Sequence, residues 1–245
     1  MPHSEPDKVE VKFAVHPDHT KTAQAALPLA GTPDEIYDVH FFELPPAGDP
    51  AKFPLLEQGL ILRVRQVTSG GQDDATFKIR GEKAAAASAT WGSLFPNISK
   101  LEGDQNVGGE VRNSFSITWE PPVVSLAPVL GGSEPLSKLY PSAVTTLLAE
   151  ADFGWPELLA YGPIQARKWK VEVPGFPKKL TVEFWKTATK EILEISRKVD
   201  AAEAPAFAGA LAKFMSETVQ VLQLPGSKTE FALRNSPSFS LKAQA

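Results

Sequence analysis

Charged and apolar residues alternate with period two along most of this chain, and that pattern constrains the fold more than any other feature. Residues 8–15 set Lys8, Glu10 and Lys12 against Val9, Val11 and Phe13. Residues 60–67 set Arg63 and Arg65 against Leu62 and Val64, and residues 75–80 set Lys78 and Arg80 against Phe77 and Ile79. The alternation returns in Lys100, Glu102 and Asp104, in Gln165, Arg167 and Trp169, in Lys179, Thr181 and Glu183, and in Glu194, Ser196 and Lys198. Successive side chains of a strand point to opposite faces, so each run reads as a β-strand. Turn chemistry at 69–74 (SGGQDD) and 175–179 (GFPKK) joins neighbouring runs as hairpins. Helical patterning is confined to about 20–28, 136–151 and 203–223, and residues 81–96 read as a long insertion. The expected fold is α+β: an eight-stranded antiparallel β-barrel with flanking helices. It forms one domain over residues 1–245, with a core over about 8–230 and a tail over 231–245.

A sheet ordinarily turns such charges towards water. Here the same polarity repeats on at least six strands, with basic pairs on some and carboxylates on others. If these rows share the inside of one barrel, burying them unpaired would cost several kcal/mol each. Such an interior must be wet and hold a ligand. A polyanion with a divalent cation satisfies both halves of the charge set, since Arg and Lys take phosphate oxygens and carboxylates take Mg²⁺ or Mn²⁺.

Composition narrows the partners. Lys and Arg total 25 against 29 Asp and Glu, a net charge of -4, which lacks the basic excess of a general nucleic-acid binder. Cysteine is absent, so thiol catalysis, cysteine-ligated zinc and disulfides are excluded. No run approaches the ~18 apolar residues of a membrane helix, and MPHSEPDKVEVKF has no apolar signal segment. The expectation is a cytoplasmic monomer or homodimer acting on a phosphorylated small molecule, with neither nucleic acid nor membrane as partner. His16 and His19 fall in a polar turn without a third ligand, and no Gly-rich phosphate loop, nucleophile elbow or HExxH occurs.

The order of these elements resembles a known family. Lys8-Val9-Glu10-Val11-Lys12 resembles an opening Glu-x-Glu-x-Lys strand, and Asp38-Val39-His40-Phe41-Phe42-Glu43-Leu44-Pro45 resembles a following tyrosine- and aspartate-rich segment. Leu62-Arg63-Val64-Arg65 matches a Leu-Arg-x-Arg strand, and Thr76-Phe77-Lys78-Ile79-Arg80 resembles its hairpin partner with one lysine. Lys100-Leu101-Glu102-Gly103-Asp104 resembles a basic residue followed by alternate carboxylates, and Gln165–Lys170 a later basic strand. Leu180–Glu183 and Leu193–Ser196 resemble the terminal acidic strands, and Ser227-Lys228 a closing lysine. Together, over about residues 8–230, the chain resembles the CYTH superfamily of triphosphate tunnel metalloenzymes, which includes thiamine triphosphatases, inorganic triphosphatases and a class of adenylate cyclases.

The resemblance implies an eight-stranded antiparallel tunnel and a site for each residue. Lys12 would act at the reacting phosphate, polarising the leaving oxygen or orienting water if its pKa is depressed. Arg63, Arg65, Lys78, Arg80, Lys100, Arg167 and Lys228 would grip phosphate oxygens, joined by Lys8 and Lys198. Glu10, Glu102, Asp104, Glu183 and Glu194 would hold Mg²⁺ or Mn²⁺. The leading implied activity is metal-dependent hydrolysis of inorganic tripolyphosphate or thiamine triphosphate. Two departures open alternatives, because Lys8 replaces the first glutamate and Ser196 the last carboxylate. The tunnel could instead turn over an organic diphosphate such as a prenyl diphosphate, as a lyase or cyclase releasing pyrophosphate. It could also bind phosphate without catalysis.

Overall fold

The computed structural model describes residues 6–29, 31–45, 49, 52–142 and 158–241. Its strands are β1 Lys8–Ala14, β2 Glu35–Glu43, β3 Leu60–Ser69, β4 Asp74–Arg80, β5 Ser99–Asn106, β6 Arg112–Trp119, β7 Leu159–Val171, β8 Leu180–Lys186, β9 Glu191–Asp200 and β10 Ser238–Ser240. Its helices are α1 Thr20–Ala26, α2 Pro54–Glu57, α3 Lys83–Trp91, α4 Leu126–Leu130, α5 Ala204–Lys213 and α6 Lys228–Asn235.

The strands run in the order β7-β2-β3-β4-β6-β5-β1-β9-β8, and β8 pairs back onto β7. Nine strands thus close a barrel, which removes the exposed edges an open sheet would carry, and β10 adds to the start of β7. The barrel with flanking helices is the expected α+β fold, with one strand more than expected. The added strand is β6, whose inward positions after Arg112 are the hydroxyls Ser114, Ser116 and Thr118, so its sequence carries no charged row to announce it. One pair also departs from the antiparallel expectation: β1 runs parallel to β5, with Glu10 opposite Asp104. The N-terminal strand inserts between two strands distant in sequence, and because nine strands cannot alternate direction all the way round a closed barrel, one neighbouring pair must be parallel, here β1 with β5.

Both expected hairpins form. Arg65 lies opposite Asp74 across the β3–β4 turn, and Val171 opposite Leu180 across the β7–β8 turn. In the first, Gly70 has φ +87°, and a Cβ there would lie 1.9 Å from the Asp34 carbonyl oxygen, so only glycine fits.

Alternation sorts the side chains onto two faces. Outward residues form two cores: Leu62, Val64, Phe77 and Phe115 pack under α3, and Val9, Val11, Leu193 and Ile195 pack under α5. Cross-strand partners share a face. Phe41 lies opposite Arg63, and Trp185 opposite Ala166, which in turn lies opposite Tyr37, so a third cluster of Tyr37, Val39, Phe41, Ile61 and Trp185 belongs to the inner face with the charges. Helix α6 covers this apolar half through Ala232 and Leu233.

The local readings change in four places. Helix α3 occupies most of the 81–96 insertion. The 203–223 helix stops early: α5 passes into a π-turn at Phe214–Thr218, and Gln220 takes φ 60°. Of 136–151, Leu136–Leu139 forms a single 3-10 turn, while 143–151 lie outside the described residues. Residues 231–240 are not a tail, because α6 continues to Asn235 and β10 pairs with Leu159–Tyr161.

A charged inner face as candidate functional site

One carboxylate organises the cationic side of the inner face. Asp104 on β5 lies 2.9 Å from Lys12 Nζ of β1, 2.9 Å from Lys78 Nζ and 3.0 Å from Arg80 Nε of β4. Lys12 also lies 2.9 Å from Glu10. On the neighbouring hairpin, Arg63 and Arg65 of β3 both turn to Asp74, whose side chain is 1% exposed. Arg63 also donates to Thr76 Oγ1 at 3.0 Å, Arg65 stacks over the Tyr37 ring, and Arg63 Nε is buried without a partner. Five cations thus face three carboxylates, Glu10, Asp74 and Asp104.

The opposite side is acidic. Glu183 on β8 and Glu194 on β9 lie directly opposite each other in register, and Lys228 at the start of α6 reaches both. Ser227 caps that helix by accepting the Glu230 N–H at 3.1 Å, which sets where the lysine projects. The Lys228 ammonium is 2.7 Å from Glu194, pairs with Glu183, and sits 4.2 Å from the centre of the Trp185 ring.

Burial and neighbours shift these groups. Burial alone would lower Lys12, but Glu10, Asp104 and Glu194 outweigh it and hold its pKa above the ordinary lysine range. Lys12 is therefore a fixed cation, which fits the first of its two implied roles, polarising the leaving oxygen, and not that of a depressed lysine. That role falls to Lys78, which burial, with Arg80 and Lys12 adding to it, holds down to about 7 despite Asp104. Burial would raise Asp104, Glu10 and Glu183. Lys12, Lys78 and Arg80 bring Asp104 well below its usual range, Lys12 lowers Glu10, and Lys228, Arg65 and Lys168 bring Glu183 to about 2.

Other sequence-selected residues lie elsewhere. Lys8 is half exposed and pairs with Asp200. Lys100 is exposed, 3.6 Å from Glu102, and Lys198 also pairs with Glu102 where the inner face meets solvent. Arg167 is exposed and shares the outer face with its cross-strand partner Phe184, so it does not join the inner set. The inward basic residue of β7 is Lys168, opposite Glu183 in register and 2.8 Å from Glu35. The strand is displaced by one residue from the frame the motif suggested, and a one-residue slip exchanges the faces. Sequence reading also missed Asp74, assigned to the turn, although the Thr76, Lys78, Arg80 row extended back by one period reaches it.

The five carboxylates expected to hold Mg²⁺ or Mn²⁺ do not gather as a metal site. Among the described residues no group of three or more His, Cys, Asp or Glu could hold a metal ion. Glu10 is taken by Lys12, Glu102 by Lys100 and Lys198, Asp104 by three cations, and Glu183 and Glu194 by Lys228. As arranged, these donors do not fit a resident divalent ion.

No helix among the described residues is long and apolar enough to cross a membrane. No protein-family model and no curated protein sequence matches the chain. Solved structures do. A candidate adenylate cyclase from Bacillus halodurans matches at 16% identity over 91% of this chain and 95% of that one, with a TM-score of 0.54. A candidate adenylyl cyclase from Hippeastrum, described as having a dominant triphosphatase activity, matches at 17% identity over 90% and 92% of the two chains, TM-score 0.47. A protein of Pyrococcus horikoshii matches at 15% identity over 93% and 98%, TM-score 0.44. The likeness at a TM-score of 0.54 shows a shared fold, which in this chain is the closed nine-stranded barrel with its charged inner face.

Proposed function

We propose that this protein binds the phosphate chain of a triphosphate against the cationic side of its inner face and hydrolyses it. The observation that carries the reading is the convergence of Lys12, Arg63, Arg65, Lys78 and Arg80 on only three carboxylates. A buried surplus of cations is costly unless an anion completes it. Arginine forks suit phosphate oxygens bidentately, and the unpartnered Arg63 Nε supplies a buried donor for one. Water would attack the terminal phosphorus, the bond to the bridging oxygen would break, and orthophosphate, diphosphate and a proton would leave. The cations would hold the chain in line and offset charge developing on the leaving oxygen. Mg²⁺ or Mn²⁺ would enter bound to the triphosphate, as part of the substrate.

The apolar half of the inner face supports placing any organic part of the substrate outside it. Phe41 and Trp185 pack together with ring centres 6.0 Å apart, beneath α6. Tripolyphosphate, thiamine triphosphate, ATP and a prenyl diphosphate, each offered with Mg²⁺, Mn²⁺ or EDTA, test the reading through the phosphate species released. Orthophosphate from a triphosphate, lost in Arg65→Ala, is the expected result. Pyrophosphate from the prenyl diphosphate alone would replace the proposal with lyase or cyclase chemistry, and binding without turnover would replace it with a phosphate-binding role.

A further inference from the structure

We infer that Lys228 is the resident counter-cation of this tunnel, holding between Glu183 and Glu194 the place a divalent ion would need, so that the ligand-free protein binds no metal there. Glu183 and Glu194 face each other on adjacent strands, the arrangement in which two carboxylates could share one cation. The cation they share is the Lys228 ammonium, which reaches both, and the Trp185 ring lies 4.2 Å away. Mg²⁺ needs oxygen ligands at about 2.0–2.1 Å in octahedral geometry, so it cannot enter while an ammonium fills the same gap. Nor would displacement be favourable, because the freed lysine would remain buried without its two carboxylates, and Arg65 and Lys168 already act on Glu183. The lysine is also held by its own helix, since capping by Ser227 and packing of Ala232 and Leu233 against the apolar half of the inner face fix α6 in place.

This goes beyond the proposed hydrolysis and is tested without turnover. Mn²⁺ is titrated into the full-length protein without substrate, and the electron paramagnetic resonance signal of the free ion is followed. The wild type is expected to leave that signal unchanged at equimolar Mn²⁺. Lys228→Ala is expected to take up about one ion per chain, Lys228→Arg none, and Lys228→Ala/Glu183→Gln none. Mn²⁺ at about a hundredfold excess over its dissociation constant should raise the melting temperature of Lys228→Ala by about 5 °C or more and leave the wild type unmoved. Should Lys228→Ala fail to fold, Lys228→Gln keeps the bulk of the side chain without its charge and is expected to take up Mn²⁺. Uptake by the wild type that Glu183→Gln abolishes would overturn the inference, as would a folded neutral variant at position 228 that binds none. An absence of phosphate release from every substrate would count against the proposed function and leave these readings intact.

Discussion

Lys78 and Asp104 meet at 2.9 Å on the inner face, yet the lysine is held near neutrality while the aspartate is held firmly ionised. The asymmetry arises because Asp104 serves three cations at once, whereas Lys78 is buried beside two others. Asp104 is thus the electrostatic keystone of the cationic side, and Lys78 its most readily discharged member.

Anion affinity should accordingly fall as pH rises through about 7, where Lys78 loses its charge. A bound polyanion would favour the charged lysine, so binding near pH 7.5 should take up protons. Calorimetric titration of tripolyphosphate in buffers of different ionisation enthalpy reads that uptake, and Lys78→Met should lose it. The sign for stability is opposite to that of an ordinary salt-bridged lysine. The folded pKa lies below the unfolded one, so the unfolded chain binds more protons between about pH 7 and pH 10.5, and this group's contribution to stability improves as pH rises across that window.

Asp104→Asn removes the shared counter-charge and leaves Glu10 as the one carboxylate in direct ion-pair contact with the trio Lys12, Lys78 and Arg80. Breaking a buried pair in this way costs about 3–5 kcal/mol. The variant should therefore melt well below the wild type, and tripolyphosphate should raise its melting temperature more than it raises that of the wild type. Equal stability of the two proteins in scanning calorimetry would refute the charge network described above.

Arg65 and Arg167 separate an inward arginine from an outward one. Arg65→Ala should weaken triphosphate binding about tenfold to a hundredfold, with Arg65→Lys intermediate because a point charge replaces a fork. Arg167→Ala should bind as the wild type does, its side chain being exposed on the outer face. Fluorescence or calorimetric titration of the three variants gives the comparison. A loss in Arg167→Ala equal to that in Arg65→Ala would mean that β7 is shifted by one residue.

Gly103 separates Glu102 from Asp104 and faces outward into the core under α5. A Cβ there would approach a Val9 methyl carbon and a Val111 methyl carbon to 2.8 Å each. Gly103→Ala should cost about 1–3 kcal/mol through overpacking, measured by urea unfolding. The companion Val9→Ala should recover part of the loss.

Much of this was legible in the residues. The β3–β4 hairpin, with Arg63 and Arg65 on one strand and Lys78 and Arg80 on the next, follows from alternation, because a strand sends every second side chain to the same face. The row Glu10, Lys12 and the pair Glu102, Asp104 were readable in the same way. The frame of β7 was not, since Arg167, Lys168 and Lys170 place basic residues on both faces and only pairing with Glu35 and Glu183 selects Lys168. Strand β6 stayed hidden because serine and threonine leave no charge signal.

By itself, then, the sequence determined which side chains share a strand face, where the hairpins turn, and that many charges would lie on one side of the sheet. Tertiary structure alone decided that this side is the inside, and which charge answers which. Lys12 meets Asp104 across 92 positions, and Lys228 meets Glu183 across 45. Local periodicity carries no information about contacts made by closing a barrel. The five carboxylates form no resident metal site for a reason of the same kind: they are present in the sequence, but the fold brings an ammonium or a guanidinium to each of them.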